Sequence, residues 1–235
     1  MSETKKHLTP RLADIREADI RHLWHPYTDI GRLESQESYV LIERAEGVHL
    51  YERNGRRVLD GISSWWCVNL GHGHPKLITA IQEQAARLQH CILGGISHEP
   101  AVQLAEQISR LTPGDLDHVF YCGDGASAVE AAMKIAIQYW NNRGEPERQL
   151  LVGVENGYHG DTLGAISVGY VDDFHRPFRN VLLKSRRAIS PHCNNCPMGK
   201  EPDSCSIECF GSMEDILRKH HREIAAVIIE PVCQG

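Results

Sequence analysis

The sequence contains no long uninterrupted run of apolar residues. No stretch reaches the roughly 18 apolar residues that a membrane-spanning helix requires, and the polar residues after Met1 do not form the apolar core of a signal peptide. Basic residues are also scarce, with 25 Lys and Arg against 31 Asp and Glu and a formal net charge of -6. A protein that binds nucleic acid needs a surplus of basic residues to contact the phosphates. We therefore expect a globular cytoplasmic protein with neither membrane nor nucleic acid as partner.

The sequence also lacks internal repeats and low-complexity tracts. The secondary structure is therefore predicted from the spacing of apolar residues and from turn residues. Apolar residues recur at helical spacing over 76–88 and 101–111, and Asn54-Gly55 between two short apolar runs predicts a hairpin. The order strand, glycine turn, long helix and strand over residues 118–152 predicts a βαβ unit. The apolar run 224–229 predicts a further buried strand. The fold class is therefore α/β, mainly a parallel sheet with helices on both faces.

Two parts of the chain differ in these patterns. Residues 1–60 are predicted to form an N-terminal arm and a small-domain hairpin, which is a small α+β segment. Residues 61–235 are predicted to form a large domain with a polar, Cys-rich excursion at about 185–211. Because the last predicted strand leads into a glycine at Gly235 and the sequence stops there, we expect the large domain to be incomplete and the chain to be truncated.

A glycine-rich turn lies between the predicted strand 118–122 and the long helix. The run Gly123-Asp124-Gly125-Ala126-Ser127 directs backbone N–H groups and the positive end of the helix dipole towards an anion. Three interpretations stay open on spacing alone: a turn without a ligand, a dinucleotide site of the G-x-G-x-x-A type, and a site for another phosphate.

Polar and aromatic residues follow the next predicted strand. Tyr158, His159 and Asp161 lie at the C-terminal edge of the sheet, where open α/β sheets bind ligands. A planar ligand could stack on Tyr158, and the alternative is an ordinary solvent-facing loop. The neighbouring Trp65 and Trp66 favour packing in a core, since paired tryptophans more often fill a core than line a pocket.

The eight cysteines form two groups. Those in apolar runs are expected to pack as small hydrophobic side chains; they are Cys67, Cys91, Cys122 and Cys233. The others cluster closely enough to encircle a structural Zn²⁺, with packed or free thiols as the equal alternative; they are Cys193, Cys196, Cys205 and Cys209. The basic run at 184–187 would suit a zinc-ribbon binding module, although the acidic balance counts against one.

Several motifs become more specific when they are taken in order. They are Trp24-His25-Pro26-Tyr27-Thr28, the runs 60–66, 71–75, 94–98 and 125–130, the loop 156–162 and the strand 226–231. Together they resemble class III, fold-type I aminotransferases, which depend on pyridoxal 5'-phosphate, and within them the members of biotin biosynthesis. The resemblance covers the chain from Trp24 to Gly235. It displaces the nicotinamide interpretation of the glycine turn.

The resemblance implies a role for individual residues. Backbone N–H groups of Gly125 and Ala126 would bind the cofactor phosphate, and Tyr158 would stack on the pyridine ring. His159 and Glu230 would complete the cofactor site, while Tyr27, Trp65 and Asp161 would line the substrate pocket. The family commonly has Ser or Thr in place of Ala126, so one side-chain contact to the phosphate is expected to be missing.

An activity and an assembly are also implied. Members of biotin biosynthesis transfer an amino group from S-adenosylmethionine to 8-amino-7-oxononanoate, giving 7,8-diaminononanoate, and work as homodimers. Lysine-dependent variants and other ω-aminotransferases share the cofactor residues, so the donor stays open. The catalytic lysine that forms the Schiff base is expected beyond Gly235, so we expect no catalytic residue in this chain and no activity from it alone.

Overall fold

The computed structural model describes residues 12–35 and 39–231. The start of the predicted arm and Cys233 lie outside the described residues. By internal contacts the chain separates into two compact units, Met1–Glu99 and Pro100–Gly235. Within the described part of the chain, no helix has the length and apolar character needed to cross a membrane.

The first unit combines short helices with a small antiparallel sheet. Its elements are α1 (Leu12–His22), α2 (Ile30–Ser35), β1 (Ile42–Glu46), β2 (His49–Glu52), β3 (Arg57–Leu59), the four-residue turn α3 (Ser63–Trp66) and α4 (Pro75–Arg87). The strand order is β1-β2-β3, and both pairings are antiparallel. The hairpin predicted at Asn54-Gly55 is confirmed, because Gly55 adopts a φ of 90° in the turn between β2 and β3.

The second unit is an α/β layer structure. Its elements are α5 (Glu99–Leu111), α6 (Gly125–Asn142), β4 (Leu150–Val154), α7 (Leu163–Val168), α8 (Asp172–His175), β5 (Ser185–Ala188), α9 (Phe210–His220) and β6 (Ile224–Val227). Short 3-10 turns cover Arg176–Val181, Cys193–Asn195 and Pro202–Ser204. The sheet has the order β5-β4-β6, and β4 pairs parallel with both neighbours.

Both faces of this sheet are covered by helices. Leu151 packs in one cluster with Met133 of α6 and Val168 of α7. Leu150 and Val152 pack in another cluster, which Met213 and Ile216 of α9 cover from outside. Because successive side chains of a strand point to opposite faces, α6 and α7 lie on one face and α9 lies on the other. The predicted parallel sheet with helices on both faces is confirmed.

Two details of the sheet differ from the sequence-based prediction. Residues 118–122 form no strand, although the helix and strand after them are present. An apolar run becomes a strand only where a neighbouring edge pairs its backbone groups, and within the described residues no strand pairs with this run. By contrast, β5 lies in the basic run that was assigned to the excursion, where its pairing with β4 outweighs a weak apolar pattern.

Candidate functional site

The N-terminus of α6 is capped by the side chain of Asp124. Its carboxylate accepts hydrogen bonds from the backbone N–H of Ser127 at 2.8 Å and from the Ser127 hydroxyl at 2.7 Å. These two bonds, with a weaker contribution from the Ala126 N–H, hold the pKa of Asp124 below its usual value. The predicted phosphate-binding turn is therefore a helix N-terminus that already carries an ionised carboxylate.

The loop after β4 lies directly against the first turn of α6. Gly160 adopts a φ of 107°, and a Cβ placed on it would lie 2.4 Å from the Cβ and 2.7 Å from the Cα of Ala126. A side chain would overlap Ala126, so the close approach requires glycine. The contact brings the segment with Tyr158 and His159 beside the helix N-terminus at Gly125 and Ala126.

A carboxylate inside α6 ties the same two segments together. Glu130 accepts a hydrogen bond from the hydroxyl of Thr162 at 2.7 Å and another from the N–H of Gly164 at 3.0 Å. Thr162 also caps α7, since its hydroxyl accepts from the N–H of Ala165. Sequence reasoning assigned no role to Glu130, although it lies in the recognised run 125–130.

Tyr158 is held at both ends while its ring stays accessible. The Tyr158 N–H donates to Glu230, just past β6, at 2.9 Å, and the Tyr158 hydroxyl donates to the carboxylate of Asp161 at 2.7 Å. The residue is 45% exposed. The ring is therefore oriented by two acidic residues and offers a surface on which a planar ligand could stack.

His159 contributes a partly buried imidazole to this cluster. Its Nε2 atom is buried without a hydrogen-bond partner among the described residues. Burial lowers the pKa of His159, and the negative charge of Glu230 opposes that shift only partly. The imidazole is therefore neutral at neutral pH and has one nitrogen available to a polar ligand group.

The structure thus brings together the five residues predicted to bind a cofactor. Contacts connect Gly125 and Ala126 through Gly160 to Tyr158 and His159, and from there to Glu230. A helix N-terminus, an accessible aromatic ring and an unpaired ring nitrogen suit a planar ligand that carries an anionic group. Asp161, which the resemblance assigns to a substrate pocket, accepts a hydrogen bond from the Tyr158 hydroxyl in the same cluster.

An exposed aromatic pair lies in the first unit. The rings of Tyr27 and Trp65 have centroids 5.5 Å apart and an interplanar angle of 34°. Tyr27 is 78% exposed, Trp65 57% and Trp66 73%. The prediction that the paired tryptophans fill a core is wrong for this chain, because both indoles lie at the surface of the turn that carries them.

That turn, α3, has the left-handed conformation. Ser63, Ser64, Trp65 and Trp66 have φ angles of 49°, 46°, 64° and 67°. L-residues adopt this conformation at a cost of roughly 1–2 kcal/mol each, and it is rare outside isolated glycines and asparagines. Backbone strain of this kind concentrates at functional sites. The sequence gives no signal for it, because none of the four residues is glycine.

Asp60 is the hydrogen-bond acceptor for this turn. Its carboxylate accepts from the Ser64 N–H at 2.8 Å and from the Ser64 hydroxyl at 2.7 Å, and it lies 2.7 Å from Nε2 of His72. The Ser64 N–H bond is the main reason why the pKa of Asp60 falls to about 2, with His72 and the Ser64 hydroxyl next. Asp60 is therefore ionised throughout the physiological range.

The Cys-rich segment does not form the predicted zinc site. Within the described ranges, no three side chains of His, Cys, Asp or Glu group closely enough to hold a metal ion. The thiol of Cys205 instead donates to Glu208. The backbone N–H of Glu208 itself and the Lys200 ammonium are the main causes that lower the Glu208 pKa to about 2. A carboxylate organises this segment, so the structure supports neither the zinc interpretation for Cys193, Cys196, Cys205 and Cys209 nor the zinc-ribbon alternative.

The remaining described cysteines also differ from expectation. Cys67 is exposed, while Cys91 and Cys122 are only partly buried. Packing as small core residues is therefore wrong for Cys67 in this chain, because Cys67 follows the exposed turn α3.

These features coincide with a family assignment. The chain belongs to the class-III aminotransferase family, whose profile matches residues 31–235. A curated relative from Geobacter sulfurreducens is 39% identical over 222 residues, covering 94% of this chain and 49% of the relative. One from Anoxybacillus flavithermus is 41% identical over 214 residues, covering 91% and 46%. Both are named adenosylmethionine-8-amino-7-oxononanoate aminotransferase.

Solved structures agree with this assignment. The adenosylmethionine-8-amino-7-oxononanoate aminotransferase of Methanocaldococcus jannaschii superposes with a TM-score of 0.84 at 36% identity, covering 95% of this chain and 48% of that one. An (S)-enantioselective omega-transaminase from Thermomicrobium roseum gives 0.86 at 32% identity, covering 97% and 51%. The predicted family and the fold-type I architecture are confirmed. The chain spans about half the length of the curated relatives it matches.

Proposed function

We propose that this chain is part of a pyridoxal-phosphate-dependent enzyme that transfers an amino group from S-adenosylmethionine to 8-amino-7-oxononanoate in biotin biosynthesis. The names of the relatives supply the reaction. The observation that carries the proposal is the convergence of the α6 N-terminus, the loop of Tyr158 and Glu230 at one edge of the sheet. This is the edge at which open α/β sheets bind their ligands.

The phosphate of the cofactor would bind at the start of α6. Backbone N–H groups of Gly125 and Ala126 would donate to it, and the helix dipole would favour its negative charge. Apart from its chain neighbours and the backbone of α6, no atom of the described residues lies within 4 Å of the position that a Cβ on Gly125 would take, so the turn leaves room for a ligand. Ala126 has no hydroxyl, so at this position only the backbone N–H would bind the phosphate.

The aromatic part of the cofactor would lie on Tyr158. The Asp161 carboxylate fixes the Tyr158 hydroxyl, and Glu230 fixes the Tyr158 N–H, so the ring is oriented before a ligand arrives. The neutral imidazole of His159 would offer its unpaired Nε2 to a polar group of the ligand. When bound, pyridoxal phosphate supplies the electron sink that lets the α-proton leave an amine donor.

Another class III activity is the second candidate. The Thermomicrobium roseum omega-transaminase is similar over 97% of this chain, and a lysine-dependent variant would share the same cofactor residues. The visible absorption of the complete reading-frame product, purified with pyridoxal phosphate, separates these cases. A cofactor band that S-adenosylmethionine changes supports the proposed reaction. A band that responds only to lysine or another amine changes the donor, and no cofactor band contradicts the aminotransferase proposal.

We also propose that the 235-residue chain alone is inactive, since the resemblance implies a catalytic lysine at a position beyond the one that matches Gly235. Borohydride reduction with pyridoxal phosphate followed by peptide mapping tests this directly. We expect no stoichiometric label on any lysine of the chain. A specific label on Lys76, Lys134 or Lys184 would contradict the proposal.

A homodimer and a cytoplasmic location belong to the same proposal. Large apolar side chains are exposed in both units, among them Trp24 at 81%, Phe120 at 72% and Leu111 at 85%. Exposed apolar surface of this extent is typical of a protein that associates. Light scattering of the complete reading-frame product is expected to give the mass of a dimer, and cell fractionation checks the location. A monomer at micromolar concentration would contradict the proposed assembly.

A further inference from the structure

We propose that Asp60 is a positioning residue: its carboxylate fixes the left-handed turn α3 and thereby sets the Trp65 ring against Tyr27 as an apolar wall for a substrate. The positioning follows from the geometry of the first unit. The assignment of the wall to substrate rests on the proposed function.

Packing does not account for the strained backbone of α3. Four successive L-residues have positive φ angles, yet Trp65 and Trp66 are 57% and 73% exposed. A strained conformation persists only where its surroundings determine it. Since core burial does not do so here, other interactions must select the left-handed conformation.

The backbone bonds of the turn are compatible with that conformation but do not explain its selection. The Trp66 N–H donates to the Ile62 carbonyl at 2.8 Å, and the Val68 N–H donates to the Ser63 carbonyl at 3.1 Å. The Asp60 carboxylate accepts two further bonds, from the N–H and from the hydroxyl of Ser64, and both require Ser64 to face Asp60. An ionised acceptor makes such bonds stronger than a neutral one does. The carboxylate therefore stabilises Ser64 in its strained position.

Asp60 is itself fixed by its surroundings. It directly follows β3, its N–H donates to the Val48 carbonyl at 2.9 Å, and its side chain is only 4% exposed. His72 bonds to the same carboxylate, and its backbone pairs in both directions with Gly47 at 2.8 and 3.0 Å. A continuous set of contacts thus runs from the sheet through Asp60 and Ser64 to Trp65.

The exposed aromatic pair suits an uncharged part of a substrate. Its rings, with centroids 5.5 Å apart and tilted by 34°, form an aromatic surface that carries no charged group. Both proposed substrates have such a part: a planar base in the donor and a hydrocarbon chain in the acceptor. The substrate whose KM changes in the experiment identifies which of them contacts the wall.

The experiment compares variants of the complete reading-frame product. Asp60→Ala removes both bonds to Ser64, and the double variant Asp60→Ala with Ser64→Gly places at 64 a residue that adopts positive φ without strain. Asp115→Asn, at an exposed aspartate of the other unit, is the matched control. The readouts are near-ultraviolet circular dichroism and acrylamide quenching of tryptophan without substrate, followed by kcat and KM for each substrate.

We expect Asp60→Ala to change the near-ultraviolet spectrum and the quenching, with the far-ultraviolet spectrum unchanged. It should raise the KM of one substrate by about fivefold or more while kcat stays within about twofold, as loss of uniform binding does. The double variant Asp60→Ala with Ser64→Gly should restore much of the wild-type spectrum and KM. Wild-type spectra and KM in Asp60→Ala would overturn the proposal, and so would a loss of kcat at unchanged KM. Altered spectra in an enzyme that uses neither substrate would retain the positioning and reject the proposed function.

Discussion

The carboxylate of Glu130 lies 2.7 Å from the hydroxyl of Thr162, and this bond joins the helix of the candidate phosphate site to the loop that carries Tyr158. The same oxygen accepts from the N–H of Gly164, which is buried. One side chain therefore fixes the distance between two parts of the candidate site.

Replacing Glu130 by alanine should destabilise this junction. Glu130→Ala leaves the buried Gly164 N–H without an acceptor, at a cost of roughly 1–3 kcal/mol, whereas Glu130→Gln keeps an acceptor oxygen and should lose less. Urea unfolding of the complete reading-frame product measures the difference. Glu147→Ala, at an exposed glutamate just after α6, is the control. Equal midpoints for Glu130→Ala and Glu130→Gln would contradict the interpretation.

The close approach at Gly160 gives a second prediction. Gly160→Ala should both strain the backbone and push the loop away from Ala126, so affinity for pyridoxal phosphate should fall. Gly144→Ala is a matched control, because Gly144 also has a positive φ, 80°, but nothing lies within 4 Å of an added Cβ. Absorbance titration of both variants separates backbone strain from the steric overlap. A loss of cofactor affinity as large in Gly144→Ala would show that the contact with Ala126 is unimportant.

Asp124 should weaken the binding of an anion. Its ionised carboxylate already accepts from the first turn of α6, where a phosphate would also bind. Asp124→Ser keeps a good N-cap residue and removes the charge, so affinity should rise a few-fold, in line with the roughly 0.3–1 kcal/mol that a charge contributes at a helix end. Titration with pyridoxal phosphate and with inorganic phosphate tests this, with Asp115→Ser as control. Weaker binding by Asp124→Ser would show that the carboxylate helps to form the site.

His175 should make the stability of the protein depend on pH. Its side chain is buried, its Nδ1 accepts from the Val171 N–H at 3.0 Å, and burial is the main cause that lowers its pKa below the ordinary 6.5, against the opposing charge of Asp161. The unfolded chain therefore binds a proton more readily than the folded protein does. The resulting contribution to stability is present above pH 6.5 and is lost as the pH falls through the folded-state pKa.

His175→Asn should flatten this part of the pH dependence, because the Asn side-chain oxygen can accept from Val171 without titrating. Thermal unfolding measured between about pH 5 and 8, the range in which histidine titrates, tests this prediction. His192→Asn, at an exposed histidine, should leave the profile unchanged. Identical profiles for wild type and His175→Asn would assign the pH dependence to other groups, with His159 the first to test because burial also lowers its pKa.

Sequence patterns were sufficient where local chemistry determines the structure. Regular apolar spacing predicted α4 and α5, and Asn54-Gly55 predicted the hairpin, because both signals act within a few residues. The ordered motifs also identified the family. They placed Gly125, Ala126, Tyr158, His159 and Glu230 among the site residues, and the structure brings these residues together.

Features that depend on distant partners were not predictable. Residues 118–122 have the apolar pattern of a strand but no paired edge in the described structure, and the basic strand β5 lacks that pattern but pairs with β4. The left-handed turn α3 bonds to Asp60, four residues before Ser64, but the turn itself contains no glycine to signal its positive φ angles. Asp60 in turn bonds to His72, twelve residues further along the chain. The cysteine spacing suggested a metal, yet the bond from Cys205 to Glu208 reflects a neighbouring carboxylate that the spacing did not include.

The strand order β5-β4-β6 has a consequence for synthesis on the ribosome. The entirely buried strand β4 emerges first. Strand β5 pairs with one of its edges some 30 residues later. Strand β6 pairs with the other edge only after residues 224–227 have been made. During that interval the nascent chain presents an apolar strand with an open edge, the feature that promotes strand pairing between molecules. Chaperone binding to stalled nascent chains should therefore be strongest when residue 155 has emerged from the ribosome but residue 224 has not. It should decline once β6 has emerged and formed.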